Sequence, residues 1–125
     1  MIDEGYRKPS ADEKALLQRL LDGAFAGGEE LLRQLDGLLV RTLDEAGSLS
    51  LSVDASSVPA DVSVRIVAEG HYFDDGATPE LEEPHVHVLL HSVGGLLTEM
   101  EIYKDDGSSI MKKPKAEDLI IEKRA

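Results

Sequence analysis

The sequence predicts an α+β fold: an N-terminal helical hairpin packed on one face of an antiparallel sheet of about five strands. Two observations carry this. Leucines recur at helical spacing up to Leu35, and from Leu38 to Tyr103 apolar and polar residues instead tend to alternate. A third supports it: all the helical signal precedes the strand signal, the order of an α+β domain rather than of repeated β-α-β units. The chain has 125 residues, enough to bury a core without staples. It reads as a single domain over 1–125, with a loose N-terminal arm over 1–9, a globular core over 10–110 and a mixed-charge tail over 111–125.

The first helix is announced by Ser10, which can cap it, and by Glu13 three residues later, which completes a capping box. Leu16, Leu17, Leu20 and Leu21 form its apolar stripe. Gly27-Gly28 breaks the chain, and Glu29-Glu30 places negative charge at the start of a second helix. Leu31, Leu32 and Leu35 are its stripe, and Gly37 ends it. The first strand carries Leu38, Val40 and Thr42 on one face, and the turn Asp44-Glu45-Ala46-Gly47 leads into a second with Leu49, Leu51 and Val53. Pairing Leu43 with Ser48 sets Val40 opposite Leu51 and gathers the apolar residues of both strands. A third strand follows, with Val62, Val64, Ile66 and Ala68 toward the core. Asp74 to Pro84 is an acidic loop, His85 to Ser92 is the fourth strand, and a loop of Val93-Gly94-Gly95 returns the chain into the fifth, with Leu96, Met100 and Ile102 on its apolar face. Leu119, Ile120 and Ile121 either add an edge strand or fray.

Composition narrows the function classes. The chain has no Cys, which excludes disulfides, thiolate metal sites and a cysteine nucleophile. Its formal net charge of -12 repels phosphate backbones and anionic lipid, so neither nucleic acid nor a membrane is an expected partner, whereas a basic protein is. No apolar run resembles a signal peptide or a membrane span, and the expected location is cytoplasmic. There is no Gly-rich phosphate loop, no nucleophile elbow and no His-Glu-x-x-His. Asp74-Asp75-Gly76 and Asp105-Asp106-Gly107 read as turns, since neither continues into the ligand spacing of an EF-hand.

Residues Ser10 to Gly107 resemble a family of small uncharacterised bacterial proteins. The helix Ala11-Asp-Glu-Lys-Ala-Leu-Leu-Gln-Arg-Leu-Leu21, the turn Leu43-Asp-Glu-Ala-Gly-Ser-Leu49 and the segment Met100-Glu-Ile-Tyr-Lys-Asp-Asp-Gly107 carry the resemblance. It implies a domain of unknown function and transfers no catalytic residue.

The chemistry-bearing segment is Pro84-His-Val-His-Val-Leu-Leu-His-Ser92, which holds three of the four histidines. In a strand, residues two apart share a face, so His85, His87 and His91 point one way and Val86, Val88 and Leu90 the other. Aligning the core faces of the neighbouring strands sets His71 opposite His85, Glu69 opposite His87 and Arg65 opposite His91. On the other side, Glu101 then lies beside His87, Glu99 beside Leu89 and Tyr103 beside His85. One polar face thus gathers Arg65, Glu69, His71, His85, His87, His91, Glu99, Glu101 and Tyr103. Within it, His71, His85, His87, Glu69 and Glu101 are the candidate metal ligands, because imidazole and carboxylate at cross-strand distance can hold zinc or another divalent ion. The same residues suit the solvated side of an ordinary sheet, and on that reading no cofactor is expected. His85-Val-His87 also matches part of the cupin metal motif, but Ser92 stands where the downstream Glu belongs, and the order of elements does not fit. Two readings follow: a non-enzymatic interaction or accessory protein for a basic partner, comparable to small acidic proteins that neutralise toxins, and, as the alternative, a metal- or histidine-dependent enzyme using the His/Glu face.

Overall fold

The computed structural model describes residues 5–75 and 85–125. Helix α1 spans Ala11–Leu21 and begins as its sequence dictates: the Ser10 hydroxyl accepts from the Glu13 amide at 3.1 Å, and the Glu13 carboxylate accepts from the Ser10 amide at 2.8 Å. Its four stripe leucines are buried. Ser10→Ala should therefore lower stability by about 1 kcal/mol. An unchanged denaturant midpoint would show that the cap contributes nothing.

The second helix is shorter than the hairpin reading required. Helix α2 covers only Gly28–Arg33. Beyond it the chain tightens into turns, and Gln34, on the expected helix, is instead 1 % exposed and drawn into the core. Its side-chain amide donates to the carbonyls of Val58 (3.0 Å) and Gly95 (2.9 Å), and its oxygen accepts from the Leu97 amide at 3.0 Å. A buried amide with all these partners stitches the end of α2 to the sheet.

One antiparallel sheet of six strands lies against the helices, in the order β1-β2-β5-β4-β3-β6. The strands are β1 Leu39–Thr42, β2 Leu49–Ser52, β3 Ile66–Phe73, β4 His85–Val93, β5 Leu96–Lys104 and β6 Ile120–Arg124. The α+β class with an antiparallel sheet holds; the count is six strands, because the C-terminal segment pairs with β3 rather than fraying. The β1–β2 register sets Val40 opposite Leu51 as the alternation requires. Leu90 and Met100 face each other at the centre of the core, which also takes in Leu16, Leu17, Leu20 and Leu31 from the helical region.

Three details of the expected sheet are corrected. The expected third strand starts too early: Val64 is 43 % exposed, and Val67 and Ala68 are the buried residues. Between Ile66 and Ala68 the ladder slips, so that Val67 is an extra residue in β3. The β3–β4 pairing is displaced by two residues, giving His71 opposite His87 and Phe73 opposite His85. The β4–β5 pairing is displaced likewise, with Glu101 opposite Leu89, Tyr103 opposite His87 and Glu99 opposite His91. The cause lies in the turn. Gly94 and Gly95 both take positive φ (60° and 80°), a two-residue hairpin that pairs Val93 with Leu96 and Ser92 with Leu97. Leu97, not Leu96, then reaches the core, and a bulge at Thr98 restores the phase for Met100 and Ile102.

Both ends of the described chain are tied down. In the stretch expected as a loose arm, Arg7 exchanges backbone hydrogen bonds with Val40 (2.9 and 2.7 Å) and pairs with Glu13 through two bonds of 2.6 and 2.9 Å. At the other end, the Arg124 guanidinium donates to the carbonyls of Leu20 and Arg19, the last turn of α1, where a cation also meets the negative end of the helix dipole.

Candidate functional site

Both helices contribute to the core on one side of the sheet, so the other side is its outer face. The burial pattern of β4 puts His85, His87, Leu89 and His91 on that face, all partly exposed, with Val86, Val88, Leu90 and Ser92 buried behind them. Parity alone does this, and every histidine lands on the side that the sequence assigns to it.

The partners are not those expected. His87 Nε2 donates to Asp105 Oδ1 at 2.5 Å, and Asp105 Oδ2 also accepts from the His85 amide at 3.1 Å. These bonds, the backbone one foremost, hold the Asp105 carboxyl below its ordinary range. His71 Nδ1 lies 3.1 Å from Glu122 Oε1, out of line for a hydrogen bond; Glu122 is the extra residue of a bulge in β6. His85 packs beside both, stacked on His71 at 5.1 Å, edge-on to Phe73 at 4.7 Å and 6.1 Å from His87, which in turn stacks on Tyr103 at 5.0 Å. Its Nδ1 is buried without a hydrogen-bond partner. His71, His85 and His87 therefore do gather, as a triangle of rings in which the His71–His85 pair stacks and the other two pairs are tilted.

Of the other expected face residues, Glu69 sits opposite Leu89 and Glu101 bonds His91 rather than His87, with His91 Nε2 donating to Glu101 Oε1 at 2.9 Å. Arg65 falls outside the ladder: it lies ahead of β3 and is exposed, and its carbonyl accepts from the Ser92 amide. Glu99 joins His91 and Glu101 in a group whose ligand atoms all lie within 4.8 Å of one another. Among the described residues this is the set of three that converges to that degree; the atoms of His71, His85, His87 and Glu69 do not. The Tyr103 phenol is pushed up, by partial burial first and then by the carboxylates of Asp105, Glu101, Glu69 and Glu122, a sign of the negative potential over this face.

The expected acidic loop begins at Asp74, but residues 76–84 lie outside the described residues. A depression among the described residues runs between the β1–β2 turn and the segment 107–110, bordered by Ile102 and Lys104. Sequence reasoning missed Asp105 as the partner of His87, because it reads as a turn residue. It also missed Asp74, whose carboxylate accepts from the amides of Met111 and Lys112 and from Lys104 Nζ.

A two-layer α+β domain with a histidine- and carboxylate-bearing outer sheet face is the class these features define. The chain belongs to the family described as a domain of unknown function, DUF6984, whose model matches residues 6–114. No curated protein and no solved structure matches the chain. Among the described residues, no helix is long and apolar enough to cross a membrane.

Proposed function

We propose that this chain is a small acidic interaction module that presents the outer face of its sheet to a basic protein surface, in the manner of small acidic proteins that neutralise toxins. One observation carries the reading. Glu69, Glu99, Glu101, Asp105 and Glu122 stand together on that face, and among the described residues their only ion pairs are with histidines. Lys123, opposite Glu69 across β3 and β6, offsets part of this charge, and among the described residues it forms no ion pair with these carboxylates. Five carboxylates still leave the face negative for a partner, consistent with the net charge of -12. A flat sheet face also offers shape for a protein surface more readily than for a small substrate.

The test is affinity capture across a salt series, with Glu69→Lys/Glu122→Lys as the charge-reversed variant. Partners held by the wild type should be basic, should elute steeply as salt rises and exposed charges are screened, and should not be held by the variant. Acidic partners, salt-insensitive capture or an unaffected variant would overturn the reading. A metal-dependent enzyme is the second reading, favoured by the convergence of His91, Glu99 and Glu101.

A further inference from the structure

We infer that His91, Glu99 and Glu101 form a binding site for a divalent transition-metal ion, with zinc the preferred ion, and that the cluster of His71, His85 and His87 does not. The site shares Glu99 and Glu101 with the interaction face proposed above, but it rests on the convergence of ligand atoms rather than on the net charge of that face.

The strand pairing builds the site. His91 and Glu99 are directly opposed across β4 and β5, and Glu101 is the next residue along β5 on the same face. Three donors from two adjacent strands thus project to one side of the sheet, leaving the opposite side of an ion open to water or to a further ligand. Their atoms lie within 4.8 Å of one another, and His91 Nε2 and Glu101 Oε1 already stand 2.9 Å apart. Two ligands on a tetrahedral ion with bonds of about 2.0–2.2 Å would be separated by about 3.3–3.6 Å. Closing the site therefore takes small side-chain rotations and no backbone change.

Backbone irregularities lie beside the same residue and help build the site. His91 is flanked by irregularities on both sides: Val67 is the extra residue of β3 beside it, and Thr98 is the extra residue of β5, its hydroxyl 3.4 Å from the His91 carbonyl. Bulges bend the ladder and re-aim side chains, and they concentrate next to functional sites. Here one of them brings Glu99, rather than Thr98, opposite the imidazole.

The donor set selects the ion. One imidazole and two carboxylates suit a borderline divalent ion, and the two negative charges neutralise it. Among the described residues, neither Glu99 nor Glu101 is paired to a Lys or Arg that would have to be displaced. Coordination at Nε2 moves the imidazole proton to Nδ1, which the structure leaves buried and without a partner. That weakens the site, and it argues for an ion that is exchangeable rather than permanently held.

The cluster of His71, His85 and His87 is the natural competitor. Its rings are spaced 5.1, 6.1 and 6.4 Å apart, but two of its members already lean on Asp105 and Glu122, and its ligand atoms do not converge.

The test is calorimetric titration of untagged, chelator-treated protein with zinc chloride and, separately, manganese chloride. The wild type should take up one equivalent of zinc, more tightly than manganese. His91→Ala and Glu99→Gln should each weaken zinc binding about tenfold or more, whereas His87→Ala and Glu69→Lys/Glu122→Lys should leave it within about twofold of the wild type. Glu99→Gln is isosteric and exposed enough to fold, so the test survives a failure of the alanine variant; circular dichroism checks each protein. Absence of saturable zinc uptake would overturn the inference. So would a loss in His87→Ala that equals or exceeds the loss in Glu99→Gln, which would assign the ion to the cluster of His71, His85 and His87.

Discussion

Leu90→Ala should destabilise the protein by about 2–5 kcal/mol. Leu90 is fully buried, at the middle of the central strand β4, with Ala68 opposite on β3 and Met100 opposite on β5. Truncation removes apolar contacts that the flanking strands cannot close, because their positions are fixed by ladders on both sides. The loss should exceed that of Leu89→Ala at the neighbouring position, which lies on the partly exposed outer face. Denaturant unfolding measures both. A Leu90→Ala variant as stable as the wild type would mean that β4 is not the centre of the core.

Asp74→Ala should cost about 3–5 kcal/mol, the range for removing one partner of a buried ion pair. The Asp74 side chain is 1 % exposed and that of Lys104 14 %. Its carboxylate also accepts from the amides of Asp75, Met111 and Lys112, so it holds the segment leading to β6 against the end of β3. Burial by itself would raise its carboxyl; the bonds from Met111, Lys104, Lys112 and Asp75 outweigh this and hold it down to about 2, from an ordinary value of 3.8. The folded state therefore binds this proton less readily than the unfolded chain, and the stabilisation is present above about pH 4 and disappears as pH falls toward 2. Glu13 acts with the same sign: its bonds to Arg7, opposed by partial burial, set its carboxyl at about 2 instead of 4.5. Between pH 4 and 2 the wild type should lose stability more steeply than Asp74→Ala. Parallel unfolding profiles in that window would show that Asp74 does not carry the linkage.

Much of the outer face is legible in the chain because side-chain direction along a strand has a period of two. The alternation of His85, His87 and His91 with Val86, Val88 and Leu90 assigns each its side, whichever strands lie alongside. The Ser10–Glu13 capping box is equally local, complete within four residues, and forms as written. The short β1–β2 turn is local as well, and its register follows from the turn residues and the apolar face together.

Partnership across strands is a different matter. Sliding one strand by two residues returns every side chain to its own face, so the hydrophobic pattern cannot choose between registers two apart. The choice fell to a two-residue Gly94-Gly95 turn in place of a three-residue loop, to the bulges at Val67 and Thr98, and to the close approach of Leu119 over Gly70, where a Cβ would stand about 3 Å from the leucine. Those decisions moved Glu101 from His87 to His91 and left Asp105 to His87. Nor does any local pattern distinguish a turn aspartate from Asp74, whose burial depends on amides nearly 40 residues away, or show that Arg124 closes the last turn of α1. The sequence by itself determined the fold class, the two faces of the sheet and its net charge, since these depend on periodicity and composition. Only the tertiary structure decided which carboxylate meets which histidine, because that depends on register, and register is set by turn length and bulges rather than by alternation.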